Sequence, residues 1–303
     1  VSVSIFDYIE KIVPKENILF NEPMSKHTTF RVGGAAKCLI RVDDKEQLKK
    51  LVPYLHITGQ KYFIIGNGSN LLVGDKGYSG IVVKLEDGKD GITVEGERMK
   101  VSAGTLLARA AAKARDHGLS GMEFASGIPG TMGGAIVMNA GAYGGEMKQI
   151  VESVEVMNME GEILVLDNDT MEFGYRTSVV KSRPFIVLDT VLALNKGNKD
   201  EIGGRMDELA KQRREKQPLE YASAGSTFKR PEGYFAGKLI MDAGLRGFGI
   251  GGAKVSEKHC GFIVNTGNAT AEDIREVIEE VQHCVKAKFG VTLEREIIYL
   301  GDF

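Results

Sequence analysis

The sequence predicts an α+β protein, on three observations. Short β-branched runs recur along the chain. Helical patterns separate some of these runs and leave others adjacent. The glycine-rich turn after an early strand lacks the spacing of a doubly wound dinucleotide fold.

In chain order, Ala36–Val42 reads as a strand and Asp43–His56 as a helix with Leu48, Leu51, Val52 and Leu55 on one face. Pro53 has no N–H to donate and is expected to kink or shorten that helix. The next strand, Tyr62–Ile65, runs into Gly66-Asn67-Gly68-Ser69-Asn70 and then Leu71-Leu72-Val73. A dinucleotide fingerprint would need glycine at 71 and a helix after it, and the chain has Leu71 and then Gly74-Asp75. From Ile81 a second α+β unit begins. It has strands at Ile81–Lys84, Ile92–Glu95 and Met99–Ser102, then an alanine-rich helix from Thr105 to about His117, stopped by Gly118. Strand signals return at Val151–Met157, Ile163–Leu166 and Phe185–Leu194. The polar stretch Asn195–Asp200 is the expected main domain boundary. A charged helix from about Glu201 to Lys216 leads into Pro218. The strongest helix follows, with Thr270 as N-cap, Asp273 at N3, and Gly290 just past its end. Ile274, Val277, Ile278, Val281, Val285 and Phe289 form its apolar face.

At 303 residues the chain can bury two or three ordinary cores. Its 39 Lys and Arg against 41 Asp and Glu give a net charge of −2, which supports no broad attraction to nucleic acid or to an anionic membrane. Cys38, Cys260 and Cys284 are odd in number and have no CxxC spacing, which argues against a disulfide framework or zinc site and for a reducing cytoplasm. No metal site is expected, because His259 and the cysteines converge on no ligand spacing. The opening residues Val1–Glu10 meet acidic side chains too early for a signal peptide, and no apolar run is long enough to span a bilayer.

Four segments carry the chemistry. Gly66–Asn70 reads either as a tight turn or as a nest of backbone N–H groups for a pyrophosphate, with Ser69 and Asn70 adding donors. A second glycine-rich stretch, Ala125–Glu146, has seven glycines between Gly127 and Gly145, and two such turns suit the clamping of one dinucleotide. Phe-Gly-Tyr-Arg-Thr-Ser at 173–178 offers Arg176, by itself a strand end with a surface arginine. Ser-Ala-Gly-Ser-Thr-Phe-Lys-Arg-Pro at 223–231 offers Ser226, in no nucleophile elbow. Leu-Glu-Arg-Glu at 293–296 offers Glu294 and Glu296, which strand alternation would point the same way, so spacing does not choose between them.

Together and in this order, these motifs resemble those of the flavin-dependent UDP-N-acetylenolpyruvoylglucosamine reductase family of bacterial peptidoglycan synthesis, from about Pro23 to the C-terminus. The resemblance implies FAD held by Gly66, Asn67, Gly68, Ser69, Asn70, Gly127, Ile128, Pro129, Gly130, Thr131 and Gly134. The flavin is expected to be non-covalent, since the loops hold no His or Cys to attack it. NADPH is the implied reductant and the enolpyruvyl ether of UDP-N-acetylglucosamine the implied substrate, reduced to UDP-N-acetylmuramate by hydride from flavin N5. Arg176 would grip the substrate carboxylate bidentately and stabilise negative charge. The family motif makes Ser226 the proton donor to the carbon beside the ether oxygen, and selects Glu296 to hydrogen-bond the substrate carboxylate or its enolic form and help that transfer. Lys216 matches the family segment from which a lysine reaches the substrate, and because a uridine diphosphate needs cations Lys229, Arg230 and Lys238 are further candidates, Arg230 standing where some family members carry asparagine.

The implied architecture is an FAD-binding domain of the vanillyl-alcohol-oxidase-like type over 1–197, with subdomains of about 1–80 and 81–197. A C-terminal α+β substrate domain over 198–303 follows, with the last strand returning to the first subdomain. The interval between Ser178 and Ser223 is too short for the tyrosine-bearing loop of one subtype, so the chain looks like the shorter subtype, and a monomer is expected. Two rivals use the same loops: a flavin oxidase, which would need a base near N5, and a nucleotide-binding regulator without the chemistry.

Overall fold

The structure, a computed structural model, describes residues 5–88 and 91–303, so the opening Val-Ser-Val-Ser lies outside the described residues. Two compact units emerge, one of Val1–Phe20, Cys38–Asn67 and Gly80–Gln212, the other of Asn21–Lys37, Gly68–Ser79 and Arg213–Phe303.

The first unit has two cores. In one, Leu48, Leu51, Val52 and Leu55 of the helix Lys45–Ile57 pack with Cys38, Ile40, Val42, Ile81 and Val83. Asp44 caps this helix by accepting the Glu46 N–H at 2.8 Å. The expected break at Pro53 does not occur, and the helix continues four residues beyond it to Ile57. Proline there costs about 3 kcal/mol, but each of the four buried aliphatic side chains stabilises by about 1.5–3 kcal/mol. Thr58 then closes the last turn, its N–H and hydroxyl both donating to the Tyr54 carbonyl.

The other core lies against a five-stranded antiparallel sheet of Ile163–Asp167, Val151–Met157, Ile186–Ala193, Arg98–Ser102 and Ile92–Glu95, in that order. Two helices, Leu107–Asp116 and Met132–Met138, contribute to it. The alanine-rich helix begins at Leu107 rather than Thr105 because the Thr105 hydroxyl donates to Asp87 at 2.8 Å instead of capping. The stretch expected as a polar break is also ordered. Asn195–Lys196 pairs with Leu119–Ser120, and Asn198 Oδ1 accepts the Asp200 N–H, opening the helix Lys199–Lys216.

In the second unit the helix Ala271–Phe289 buries Ile274, Val277, Ile278, Val281 and Val285 with Phe30, Val32, Leu72 and Ile263. Its predicted ends hold, with a Thr270–Asp273 capping box and Gly290 left-handed at φ 72°. Phe289 departs from its expected place on the apolar face and is 37% exposed, since it sits in the last turn beyond the core. The short strands Gly249–Ile250, Ala253–Val255 and Ile263–Asn265 form an antiparallel sheet. The last strand, Ile298–Leu300, pairs in parallel with Leu71–Val73.

Candidate active site

The two glycine-rich loops meet within the first unit. Asn67 Nδ2 donates to the Pro129 carbonyl at 2.6 Å. One residue earlier the approach is closer: a Cβ on Gly66 would lie 2.1 Å from Thr131 Oγ1, so only glycine fits there. Thr131, 4% exposed, caps the helix Met132–Met138 by accepting the Gly134 N–H. Gly134 itself is exposed, as are Gly127 and Pro129, while Ile128 and Gly130 are half-buried. This face of closely approaching backbone suits a flavin dinucleotide. The rest of the first loop, Gly68, Ser69 and Asn70, belongs to the second unit. There the Asn70 amide, expected among the phosphate donors, gives a hydrogen bond to the Glu296 carbonyl at 3.1 Å.

Arg176 is not a strand end. Gly174 and Thr177 bridge each other, leaving Tyr175-Arg176 as the tip of a tight turn, with Arg176 left-handed at φ 57°. A non-glycine residue held there costs of order 1–3 kcal/mol and persists only where its surroundings enforce it. Tyr175 is 56% exposed and lies beside the half-buried guanidinium, 5.4 Å from ring centroid to Cζ. Both terminal nitrogens of Arg176 also face the Gly141 carbonyl at 3.4 Å.

The second unit brings Ser226 and Glu296 to adjacent backbone positions. Lys229 N–H donates to Glu294 O at 2.8 Å and Glu296 N–H to Thr227 O at 2.9 Å, with Phe228 opposite Arg295 in an antiparallel bridge. Thr227 is fully buried and anchored further, its N–H on Gly261 O and its hydroxyl accepting the Ile263 N–H at 3.1 Å. Ser226, one residue before, is exposed. Gly225 reaches this position through φ 75°, in open space, so backbone conformation and not crowding demands glycine. The two glutamates that spacing left equivalent differ in surroundings: Glu294 is exposed and ion-paired with Lys229, whereas Glu296 is half-buried.

The four expected cations stand differently. Lys216 is exposed at the end of its helix. Lys229 is committed to Glu294 and Lys238 to Asp242 at 2.8 Å. Arg230 lies 4.0 Å over the ring of Phe235. His259 Nδ1 accepts the Gly261 N–H and its ring packs edge-on to Phe262, and burial lowers its pKa from 6.5. Among the described residues, no group of three His, Cys, Asp or Glu could hold a metal ion, and no helix is long and apolar enough to cross a membrane.

Sequence reasoning overlooked Asn139. It ends the helix Met132–Met138, is 2% exposed, and donates to the carbonyl of Gly174 at the base of the arginine turn. The one available signal was an asparagine closing a short helix, a residue that tolerates the left-handed conformation.

Comparison with known proteins fixes the class and then the family. Residues 36–167, which include both glycine-rich loops, match the FAD binding domain family, and residues 217–300 match the UDP-N-acetylenolpyruvoylglucosamine reductase C-terminal domain. The moss protein BBE-like 1 from Physcomitrella patens shares the fold at 14% identity, with a TM-score of 0.51 over 64% of this chain and 45% of that one. The two domain models together define an FAD-dependent oxidoreductase. The UDP-N-acetylenolpyruvoylglucosamine reductases of Caldanaerobacter subterraneus subsp. tengcongensis and Clostridioides difficile are each 52% identical to it over 298 residues, 98% of both chains. The crystal structure of the corresponding reductase from Thermus caldophilus superposes with a TM-score of 0.79 at 37% identity, covering 93% of this chain and 98% of that one. The chain belongs to the UDP-N-acetylenolpyruvoylglucosamine reductase family, whose place is in peptidoglycan synthesis.

Proposed function

We propose that the protein reduces the enolpyruvyl group of UDP-N-acetylglucosamine enolpyruvate to give UDP-N-acetylmuramate, with FAD held non-covalently and NADPH as reductant. The observation that carries this reading is the Thr227–Glu296 backbone hydrogen bond, which sets the Ser226 and Glu296 segments side by side. When bound, the flavin would supply the hydride chemistry that links NADPH to the vinyl carbon. NADPH and substrate use the site in turn. Gly66, Asn67, Gly127, Ile128, Pro129, Gly130, Thr131 and Gly134 would hold the flavin, with Gly68, Ser69 and Asn70 completing the first loop.

Arg176 binds the substrate carboxylate through two parallel N–H bonds and favours the negative charge that spreads onto it. Ser226 gives its hydroxyl proton to the carbon next to the ether oxygen. A serine hydroxyl is a weak acid, so it needs a strongly basic partner carbon and a neighbour that steadies the charge, and Glu296 fills that second role by hydrogen-bonding the carboxylate or its enolic form. Lys216, Lys229, Arg230 and Lys238 face the diphosphate, Lys229 and Lys238 exchanging their present carboxylates for it. The flavin is served by 1–197, which also lends Arg176 to the substrate, and the rest of the nucleotide sugar by 198–303, on a single monomer.

The test uses the purified protein under anaerobic conditions. It should be yellow, bleach with NADPH, and regain colour on addition of enolpyruvyl-UDP-N-acetylglucosamine, with UDP-N-acetylmuramate found by mass spectrometry. A colourless protein that takes up no FAD would indicate a regulator. Colour that returns with oxygen but not with the enolpyruvyl substrate would indicate an oxidase.

A further inference from the structure

We infer that Asn139 is a positioning residue for Arg176, and that the helix Met132–Met138 holds the flavin loop at its start and the arginine turn at its end. The inference rests on the reading of Arg176 as the carboxylate-binding residue. Asn139 is left-handed at φ 41° and 2% exposed, and its amide is used in both directions. Oδ1 accepts the Lys148 N–H at 2.9 Å; Nδ2 donates to Gly174 O at 3.0 Å and to Glu146 Oε2 at 3.2 Å. The orientation is forced, because a backbone N–H can only donate and a carbonyl can only accept.

Gly174 is the first residue of the turn whose tip is Tyr175-Arg176. Two further ties reach that turn from the same helix end: the Ser178 hydroxyl donates to Val137 O at 3.1 Å, and the Arg176 guanidinium faces Gly141 O. Residues 137, 139 and 141 therefore grip 174, 176 and 178. Left alone, the turn would relax from the left-handed conformation at Arg176. A relaxed turn swings the guanidinium off the line that a two-bond grip on a carboxylate demands. The same seven-residue helix starts from its N-cap Thr131, whose side chain lies against Gly66. A single rigid element thus sets the spacing between the flavin loop and the arginine.

The decisive substitution is Asn139→Asp, which keeps size, the acceptor for Lys148 N–H and tolerance of the left-handed backbone, but turns an acceptor toward Gly174 O. Asn139→Gly, which retains the backbone and removes the side chain, is the second variant. Both are read in the FAD holoprotein by stopped flow, first for bleaching by NADPH and then for recolouring by the enolpyruvyl substrate, alone and combined with Arg176→Ala. The expected result is FAD affinity and NADPH bleaching within about threefold of the parent and recolouring slowed about 10- to 100-fold, the scale of a small misplacement of a binding group. In the Arg176→Ala background the same changes should add less than about threefold, because a residue acting through Arg176 loses its effect with it. Equal losses in both half-reactions, loss of flavin by both variants, or a full additional loss in the Arg176→Ala background would overturn the inference. A parent protein that bleaches but does not recolour with substrate would instead overturn the reading of function, and the inference with it.

Discussion

The arginine turn and the segments of Ser226 and Glu296 present their side chains by opposite means. Ser226 and Glu296 ride on backbone pairing, through bonds from Lys229 to Glu294 and from Glu296 to Thr227 that any two non-proline residues could make. Arg176 sits on a turn in an unfavourable conformation, held by the side chains of Asn139 and Ser178. Main-chain ladders tolerate change in the side chains they carry. A strained turn depends on particular neighbours, so substitutions near Arg176 should reach its function from further away.

The largest effect expected is from Ser226→Ala. Recolouring by substrate should fall about 10²–10⁴-fold, the usual contribution of a general acid, while NADPH bleaching stays near the parent rate. Stability should move by less than about 0.5 kcal/mol, because the exposed hydroxyl is not what holds the ladder. Near-normal recolouring would remove Ser226 from the mechanism.

Arg176→Lys should slow the same step about 10- to 100-fold, since an ammonium cannot reproduce a planar two-bond grip. Loss of NADPH bleaching to the same degree would put Arg176 at the nicotinamide instead.

Gly66→Ala tests the junction of the flavin loops. Overpacking of this kind costs about 1–3 kcal/mol, so FAD affinity measured by titration should weaken by about tenfold or more. Thr131→Ala in the same protein should recover part of it by removing the Oγ1 that the new methyl meets at 2.1 Å. No recovery would locate the damage elsewhere in the loop.

Smaller effects concern stability. Glu172 is exposed and left-handed at φ 49°, so Glu172→Gly should raise stability by about 0.5–1 kcal/mol in chemical denaturation. A fall would mean that the turn region needs the glutamate side chain. Asp273, hydrogen-bonded by the Thr270 N–H first and by the Gly252 N–H and Thr270 hydroxyl as well, titrates below its ordinary 3.8. Its contribution is therefore present above about that pH and lost as pH falls through the lower folded value. Asp273→Asn should lower stability at neutral pH and flatten the acid limb of the melting-temperature profile below 3.8. An unchanged acid limb would show that the capping box does not carry that linkage.

The sequence was most readable where local pattern and burial agree. The helix Ala271–Phe289 shows its cap, its apolar stripe and its terminal glycine in consecutive residues, and it folds accordingly. Pro53 misled because propensity is local, while the four aliphatic side chains that keep the helix intact answer to a core assembled from distant strands. Glu294 and Glu296 could not be told apart by spacing, for alternation ignores the lysine that pairs with one of them. The arginine motif was visible as a string, but its turn was not: Gly174 in a strand-like run gives no hint that the residue forced left-handed is Arg176. Asn139 stayed hidden for the related reason that its importance lies in a carbonyl 35 residues away.

The parallel pairing of Leu71–Val73 with Ile298–Leu300 has a consequence for synthesis on the ribosome. Leu71–Val73 is made long before its partner Ile298–Leu300 and must wait for the chain between them. The core of the second unit likewise takes Phe30, Val32 and Leu72 from the early chain. Such distant pairings fold slowly. They also make the carboxyl-terminal stretch a poor candidate for separate expression: a fragment beginning at 217 would leave an unpaired strand and an apolar surface lacking three of its buried side chains, and it should be recovered as aggregate.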